Sequence, residues 1–349
     1  MRKVLVLGAG ASSGTLRNRA PLSRHFGEYL DEKVSDWTTQ YPYLRGAIRF
    51  FKERLPDIGE KEWALDKVWG AIDDRVKLRY VFDLDLHIPG APSPRPNNLR
   101  IYRRGVDDFG LAGFELKRAI VRVYGHDLES ESRKVLDRNG TLASEIERLE
   151  NGDCVISFNY DLLAEKIMKK KFGDKGRKIV KAIPGETVGE GVMLCKPHGS
   201  LSWRVRVPEN YVEPKIEPFD EPIEEAQVDY WPSLEAEIQP GIVAPVPFKE
   251  QIAIPEIQGR VRKFFCLLVE QWRQAIIKIS GAEEITVAGY GFPMEDSHAV
   301  HMFCEAKARM RTKPTIRLYQ KKECSDRVRK TIQKIFRDSN VIECGEINP

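Results

Sequence analysis

The chain of 349 residues has six cysteines and not one C-x-x-C pair. Cys154, Cys195, Cys266, Cys304, Cys324 and Cys344 stand far apart, which excludes a paired-cysteine zinc ribbon and offers no disulfide framework. A long apolar run is also missing, so nothing approaches the roughly 20 residues that a membrane-spanning helix needs. Charge of one sign is lacking too. The net charge is +4 although 31% of residues are charged, so electrostatics alone do not point to nucleic acid. No internal repeat and no low-complexity tract is present. The short apolar run in "MRKVLVLGAG" reads as a first strand rather than a leader peptide. These absences describe a cytoplasmic protein with free thiols and a hydrophobic content, 42%, in the globular range. The length suits one large domain with insertions, or two domains.

What is present starts with "VLVLGAGASSG" at 4–14. Val4 to Leu7 have the character of a strand buried on both faces. Gly8 and Gly10 carry no Cβ, so the backbone there turns tightly and admits a close neighbour. Ser12 or Ser13 is placed to cap a following helix, whose N-terminus favours a pyrophosphate. The usual dinucleotide fingerprint is incomplete. Ser13 stands where its third glycine belongs, and Gly14 follows. Glu28, Asp31 and Glu32 lie near the position of its ribose-binding acid, but "SRHFGEYLDEKVSDW" does not read as the strand that should carry one. A hydride-transferring dehydrogenase is a poor fit.

Strand signals fall before residue 15 and after residue 150. Between them, "YLRGAIRFFKERL", "KEWALDKVWGAIDDRVKLRYVF", "GLAGFELKRAIVRVYG" and "TLASEIERLE" carry apolar residues at helical spacing. A Pro-rich loop at 87–98 interrupts them. Residues 35–150 thus read as a mainly helical insertion between 1–34 and 151–349. Its Trp63 and Trp69 read as exposed aromatics suited to an interface between copies; a self-contained helical subdomain is the other reading. "CVISFNY" reads as a strand followed by the helix "LLAEKIMKKKFG", and "VMLCKPHGSLSW" as a strand running into a loop. Residues 207–256 are rich in proline and acid without sustained periodicity, as in a lid or interaction segment. A long amphipathic helix, the buried strand "EITVAGYGF" and a strand–helix–strand unit follow. The fold class expected is α/β: a Rossmann-like parallel sheet with helices on both faces, plus the helical insertion.

Four strand ends carry the residues with chemistry: the glycine loop, Asn159 with Asp161, His198, and Gly289 to Gly291. In an open parallel sheet, ligands bind beyond the carboxyl ends of the strands, so these groups can share one crevice. Other readings attach to each. A strand-ending Asn often only makes a turn, and Asp161 suits an N-cap for "LLAEKIMKKKFG". His298 and His301, three apart on a helix, could join Asp296 at a metal, although a solvated face explains them. The basic run Lys166–Lys181 is more simply a solvated face than a nucleic-acid site, and direct nucleic-acid binding is not expected.

In their order, these motifs resemble the Sir2-like family of NAD-consuming proteins. "GAGAS" at 8–12 looks like its phosphate loop and "SFNYD" at 157–161 is similar to its Asn-x-Asp motif. "KPHGS" at 196–200 looks like its His-Gly segment, and "VAGYGFPMEDSHA" at 287–299 resembles the prokaryotic defence branch. The resemblance covers about half of the chain and leaves both insertions unexplained. It implies Asn159 and His198 as catalytic residues. It implies Gly8, Ala9, Gly10, Ser12, Asp161, Gly199, Gly289, Tyr290 and Gly291 as the residues that bind NAD. The family's deacetylases carry two C-x-x-C pairs that this chain lacks, so no metal is expected and protein deacylation is disfavoured.

The resemblance implies hydrolysis of NAD, the substrate, to nicotinamide and ADP-ribose, in an antiviral effector that depletes NAD once triggered. Asn159 would orient a ribose hydroxyl or the attacking water, and His198, which titrates near neutrality, would accept a proton. Restraint would come from a homo-oligomer, a lid, or a partner such as a HerA-like ATPase or an Argonaute. A non-catalytic sensor of NAD or ADP-ribose is the alternative, with an NAD-dependent deacylase behind it.

Overall fold

The computed structural model describes the whole chain except residues 1, 18–19, 35, 56–62, 83–86, 89–107, 137–139, 174, 183–188, 208–214, 219–236, 243–254, 294–295 and 349. Ten strands are described: β1 (Lys3–Leu7), β2 (Cys154–Ser157), β3 (Ile179–Lys181), β4 (Val192–Cys195), β5 (Gly199–Val207), β6 (Lys215–Pro218), β7 (Glu237–Ile242), β8 (Glu284–Ala288), β9 (Thr315–Tyr319) and β10 (Asn340–Gly345). Seven of them form one sheet in the order β10-β9-β8-β1-β2-β4-β3, with every neighbouring pair parallel. The chain leaves β1 toward β2 on one side and later returns to β8 on the other. That reversal places a topological switch point at the carboxyl ends of β1 and its neighbours.

Alternation along each strand builds the layers. Val4 and Val6 of β1 pack on one face with Cys154, Ile156, Met193 and Cys195. This face is covered by α10 (Pro255–Ser280), α11 (Ser297–Arg309) and α12 (Lys322–Ile335), numbered in chain order with the α-helices given below. Leu5 and Leu7 pack on the other face with Val155, Val192 and Leu194. Here the cover is α1 (Ala9–Thr15), α7 (Leu128–Val135), α8 (Thr141–Glu147) and α9 (Leu163–Gly173). Each fully buried side chain of this kind stabilises by about 1.5–3 kcal/mol before entropy is counted. The architecture is the Rossmann-like α/β sheet, helices on both faces, that the alternation of strands and helices implied.

A third core is helical. It joins α2 (Phe26–Lys33), α3 (Trp37–Gln40), α4 (Pro42–Lys52), α5 (Leu65–Phe82) and α6 (Asp108–Ile120). It already begins at Phe26 and Leu30, upstream of residue 35, whereas Leu142 and Ile146 of α8 pack on the sheet instead. Tyr160, just past the end of β2, and Leu201, near the start of β5, belong to this helical core. The helices therefore stand over the carboxyl side of the sheet.

Three sequence expectations change. Trp63 and Trp69 are not exposed; they are 0% and 3% accessible, so neither can seat a second copy. Trp63 packs edge-on to Phe26 at 5.5 Å and Trp69 lies 6.0 Å from Tyr160, because helical periodicity alone does not tell a core face from an interface. His198 is followed by a strand, β5, not by a loop. Within 207–256, β6 and β7 pair antiparallel with β5, so part of this segment is a small three-stranded sheet. Short strands set among prolines gave no sustained period. Residues 208–214, 219–236 and 243–254, and residues 89–98 of the Pro-rich loop, lie outside the described residues.

Candidate functional site

The glycine loop after β1 meets the glycine-ended β8 backbone to backbone. The Gly8 amide donates to the Ala288 carbonyl at 3.1 Å and the Gly10 amide to that of Gly289 at 2.9 Å. A Cβ on Gly8 would lie 2.5 Å from the Tyr290 Cα, and one on Gly289 only 2.1 Å from the Ala11 nitrogen. Gly289 also has φ +62°, a conformation that L side chains rarely adopt. These glycines thus serve a close approach between two loops. Two of the amides expected to cradle a pyrophosphate are spent on it. Helix α1 begins at Ala9 with Gly8 as its N-cap, so Ser12 lies inside the helix and is not its cap.

Ser12 has a different task. Its hydroxyl donates to Asp161 Oδ2 at 2.7 Å and accepts from Asn159 Nδ2 at 3.0 Å. The same Asn159 amide group donates to the Gly8 carbonyl at 2.9 Å. Both amide hydrogens are used within the protein, so Oδ1 is the group that Asn159 can turn to a ligand. Asp161 Oδ1 accepts from the Leu163 amide at 3.0 Å and so caps α9. One carboxylate thus both caps α9 and bonds Ser12. Residues about 150 positions apart are joined because β1 and β2 are parallel neighbours, with Leu7 opposite Ser157.

Lys196, at the end of β4, is 1% exposed. Its ammonium pairs with Glu165 of α9 at 2.8 Å and donates to the Asp161 carbonyl at 2.7 Å. A buried cation needs such partners. Here they tie β4 to the turn that carries Asn159 and Asp161.

His198 is 3% exposed and packs edge-on to Phe158 at 5.1 Å. Its Nε2 lies 3.1 Å from Asp296 Oδ2, which also accepts the Tyr290 hydroxyl at 2.6 Å. The Tyr290 ring stacks on Phe158 at 4.3 Å. Burial pushes the hydroxyls of Tyr290 and Tyr160 well above the usual tyrosine range, and the Asp296 charge adds to the shift in both. Phe292, three residues past the β8 glycine, has φ +48°, so this turn holds a strained non-glycine residue.

The structure thus brings Gly8, Gly10, Ser12, Asn159, Asp161, His198, Gly289 and Tyr290 to one side of the sheet, in a closed arrangement. Gly199, with φ +83°, turns the chain from His198 into β5. Ala9 is exposed at the start of α1, and the Gly291 carbonyl accepts from the exposed Arg327 at 3.2 Å. Sequence reasoning missed Lys196 and Glu165, and it considered Asp296 only beside His298 and His301. The signal available for Asp296 was its place just beyond a glycine-ended strand. Among the described residues no group of three His, Cys, Asp or Glu side chains could hold a metal ion. Among them, too, no helix is long and apolar enough to cross a membrane.

No family model matches the chain, and no curated protein sequence matches it. Among solved structures, the chain is similar to one described as "The Structural basis of Sirtuin Substrate Affinity". The alignment has 14% identity and a TM-score of 0.33, and covers 91% of this chain and 82% of that one. A likeness this slight carries no argument about activity, which rests on the site itself.

Proposed function

We propose that this chain is a Sir2-like NAD+ glycohydrolase. One water and one NAD+ would give nicotinamide, ADP-ribose and one proton. The observation that carries this reading is the hydrogen-bonded chain Asn159–Ser12–Asp161 at the switch point, with the His198–Asp296 pair at the neighbouring strand ends. In the roles assigned here, Asn159 Oδ1 orients a ribose hydroxyl or the attacking water. His198 accepts the proton. The polar residues suit a dinucleotide. The loops in their closed positions do not, because the Gly8 and Gly10 amides are engaged and Phe158 lies against Tyr290. NAD entry therefore needs the two loops to part, which gives the reading its own form of restraint. No metal has a role in it.

The wider setting belongs to the same proposal. The protein is read as a regulated antiviral effector that works in the cytoplasm as a homo-oligomer, beside a partner such as a HerA-like ATPase or an Argonaute. The division into a core of 1–34 and 151–349, a helical insertion at 35–150 and a lid or interaction segment at 207–256 is part of it. A sensor of NAD or ADP-ribose that does not turn it over is the second reading, favoured by the committed glycine amides. A deacylase has no observation in its favour. Incubation of the purified protein with NAD+, followed by chromatography, separates the first two. Nicotinamide release is expected, and binding without release would establish the sensor.

A further inference from the structure

His198 follows the point where two strands part. The last paired residues of β3 and β4 are Lys181 and Leu194. At the start of this ladder the Val192 amide donates to the Lys178 carbonyl at 2.9 Å. Such rungs recur at every second residue of a parallel pair, so by register the Ala182 carbonyl and the Lys196 amide belong to a later rung. There Gln271 of α10, which is 1% exposed, stands between them. Its Oε1 accepts from the Lys196 amide at 2.9 Å, and its Nε2 donates to the Ala182 carbonyl. One side-chain amide thus lets the strands diverge without leaving either buried backbone group unpaired. Trp272, the next residue of α10, adds a second hold. Its Nε1–H donates at 3.0 Å to the carbonyl of Pro197, the residue directly ahead of His198. The Trp272 ring lies 6.1 Å from that of His198 and 6.0 Å from that of Phe158.

Resting on the glycohydrolase reading, we infer that Gln271 and Trp272 are positioning residues, through which α10 sets where the His198 ring stands. They act on the backbone of Lys196 and Pro197, not on the imidazole. Adjacent residues of a helix point about 100° apart, so one side chain reaches the strand ends while the other reaches the turn beyond them. The hold is specific to this strand end because a proline at 197 has no amide with which to tie the turn itself. α10 also packs on β5 and β6, so the small sheet and the proposed base share one support.

Three measurements on the full chain test this. Hydrogen exchange of the wild type reads the rung itself, and the Lys196 amide should exchange as slowly as the amides of β4. Exchange at the rate of an exposed loop would overturn the inference, even if no variant folds. The second measurement is the setting of the ring. The carbon-bound protons of His198, assigned by their loss in His198→Gln, should shift in Gln271→Leu, while those of the exposed His25 stay in place. Unmoved His198 signals in the folded variant would refute the positioning role. Turnover is the third. Gln271→Leu, and Trp272→Phe, which keeps an aromatic ring without the N–H, are first checked for native circular dichroism. Each should lower kcat by about tenfold with KM nearly unchanged. Wild-type kcat in both folded variants, or a loss confined to KM, would contradict it. If the wild type releases no nicotinamide, the glycohydrolase reading and the turnover half of this inference fall together, while exchange and the ring signals still decide the hold of α10 on His198.

Discussion

The two sides of the crevice are closed by different means. Where β1 meets β8, backbone closes on backbone: glycines at 8, 10 and 289 let two loops touch, and their amides bond to carbonyls across the gap. Beyond the ends of β1, β2 and β4, side chains close on side chains: Asn159, Ser12 and Asp161 bond one another, and Lys196 links the Asp161 carbonyl to Glu165. The glycine side tolerates almost no added atom, whereas the polar side depends on its hydrogen-bond and ion-pair partners. A glycine-rich loop after a strand is therefore not in itself a phosphate site. Here its smallness serves packing in the closed form, and the proposed chemistry rests on the polar side chains beside it.

The largest expected effect breaks the glycine side. Gly289→Ala combines a φ of +62° with a Cβ 2.1 Å from a backbone nitrogen. It should cost about 4 kcal/mol or more, because neither atom can yield without moving α1 or β8. Thermal unfolding measures it. A melting temperature within a few degrees of wild type would mean that the two loops are not closed on each other.

On the polar side, the matching change is Lys196→Met, which keeps volume but takes the ammonium from the Asp161 carbonyl and from Glu165, leaving Glu165 Oε1 only the Ser200 hydroxyl at 3.3 Å. A broken buried pair costs about 3–5 kcal/mol. The lower end applies, since the Glu165 side chain is 20% exposed. Denaturant unfolding should show this loss, and adding Glu165→Leu should recover part of it. A loss from Lys196→Met that the second change does not relieve would show that the ion pair is not its source.

The smallest effect appears only in alkali, and it touches both sides. The hydroxyls of Tyr290 and Tyr160 are held well above the usual range by burial and by Asp296. Below about pH 10 both are neutral in the folded and unfolded chain, and stability does not depend on them. Above it the unfolded chain releases these protons first, so stability falls as pH rises. Absorbance titration should find these two among the late-titrating members of the eleven tyrosines, ionising with loss of the fold. Tyr290→Phe should remove one late proton. An unchanged number would place Tyr290 in solvent.

The same contrast governs what the sequence disclosed. Val4 to Leu7 and the other buried strands were legible because a parallel sheet writes itself as apolar runs between helices. Gly8, Asn159, His198 and Gly289 were legible as strand ends, and parallel topology then brings such ends to one side. The partners of those residues were not. Lys196 and Asp296 look like ordinary charges until the fold buries them, and a buried charge is defined by neighbours far away in the chain. Trp63 and Trp69 show the same gap, since a period of 3.6 gives a face but not what covers it. Strands β5, β6 and β7 were hidden because their pairing is antiparallel and their surroundings are proline-rich.

The account stands on Asn159 and His198 acting in one NAD-cleaving site. The direct test is the rate of nicotinamide release from NAD+ by the wild type, Asn159→Ala and His198→Ala at equal folded concentration. Asn159→Ala removes donors to Gly8 and Ser12, so folding is checked by circular dichroism beforehand. The account predicts turnover by the wild type and a loss of roughly 10²-fold or more in each variant. Wild-type rates in both folded variants would contradict it.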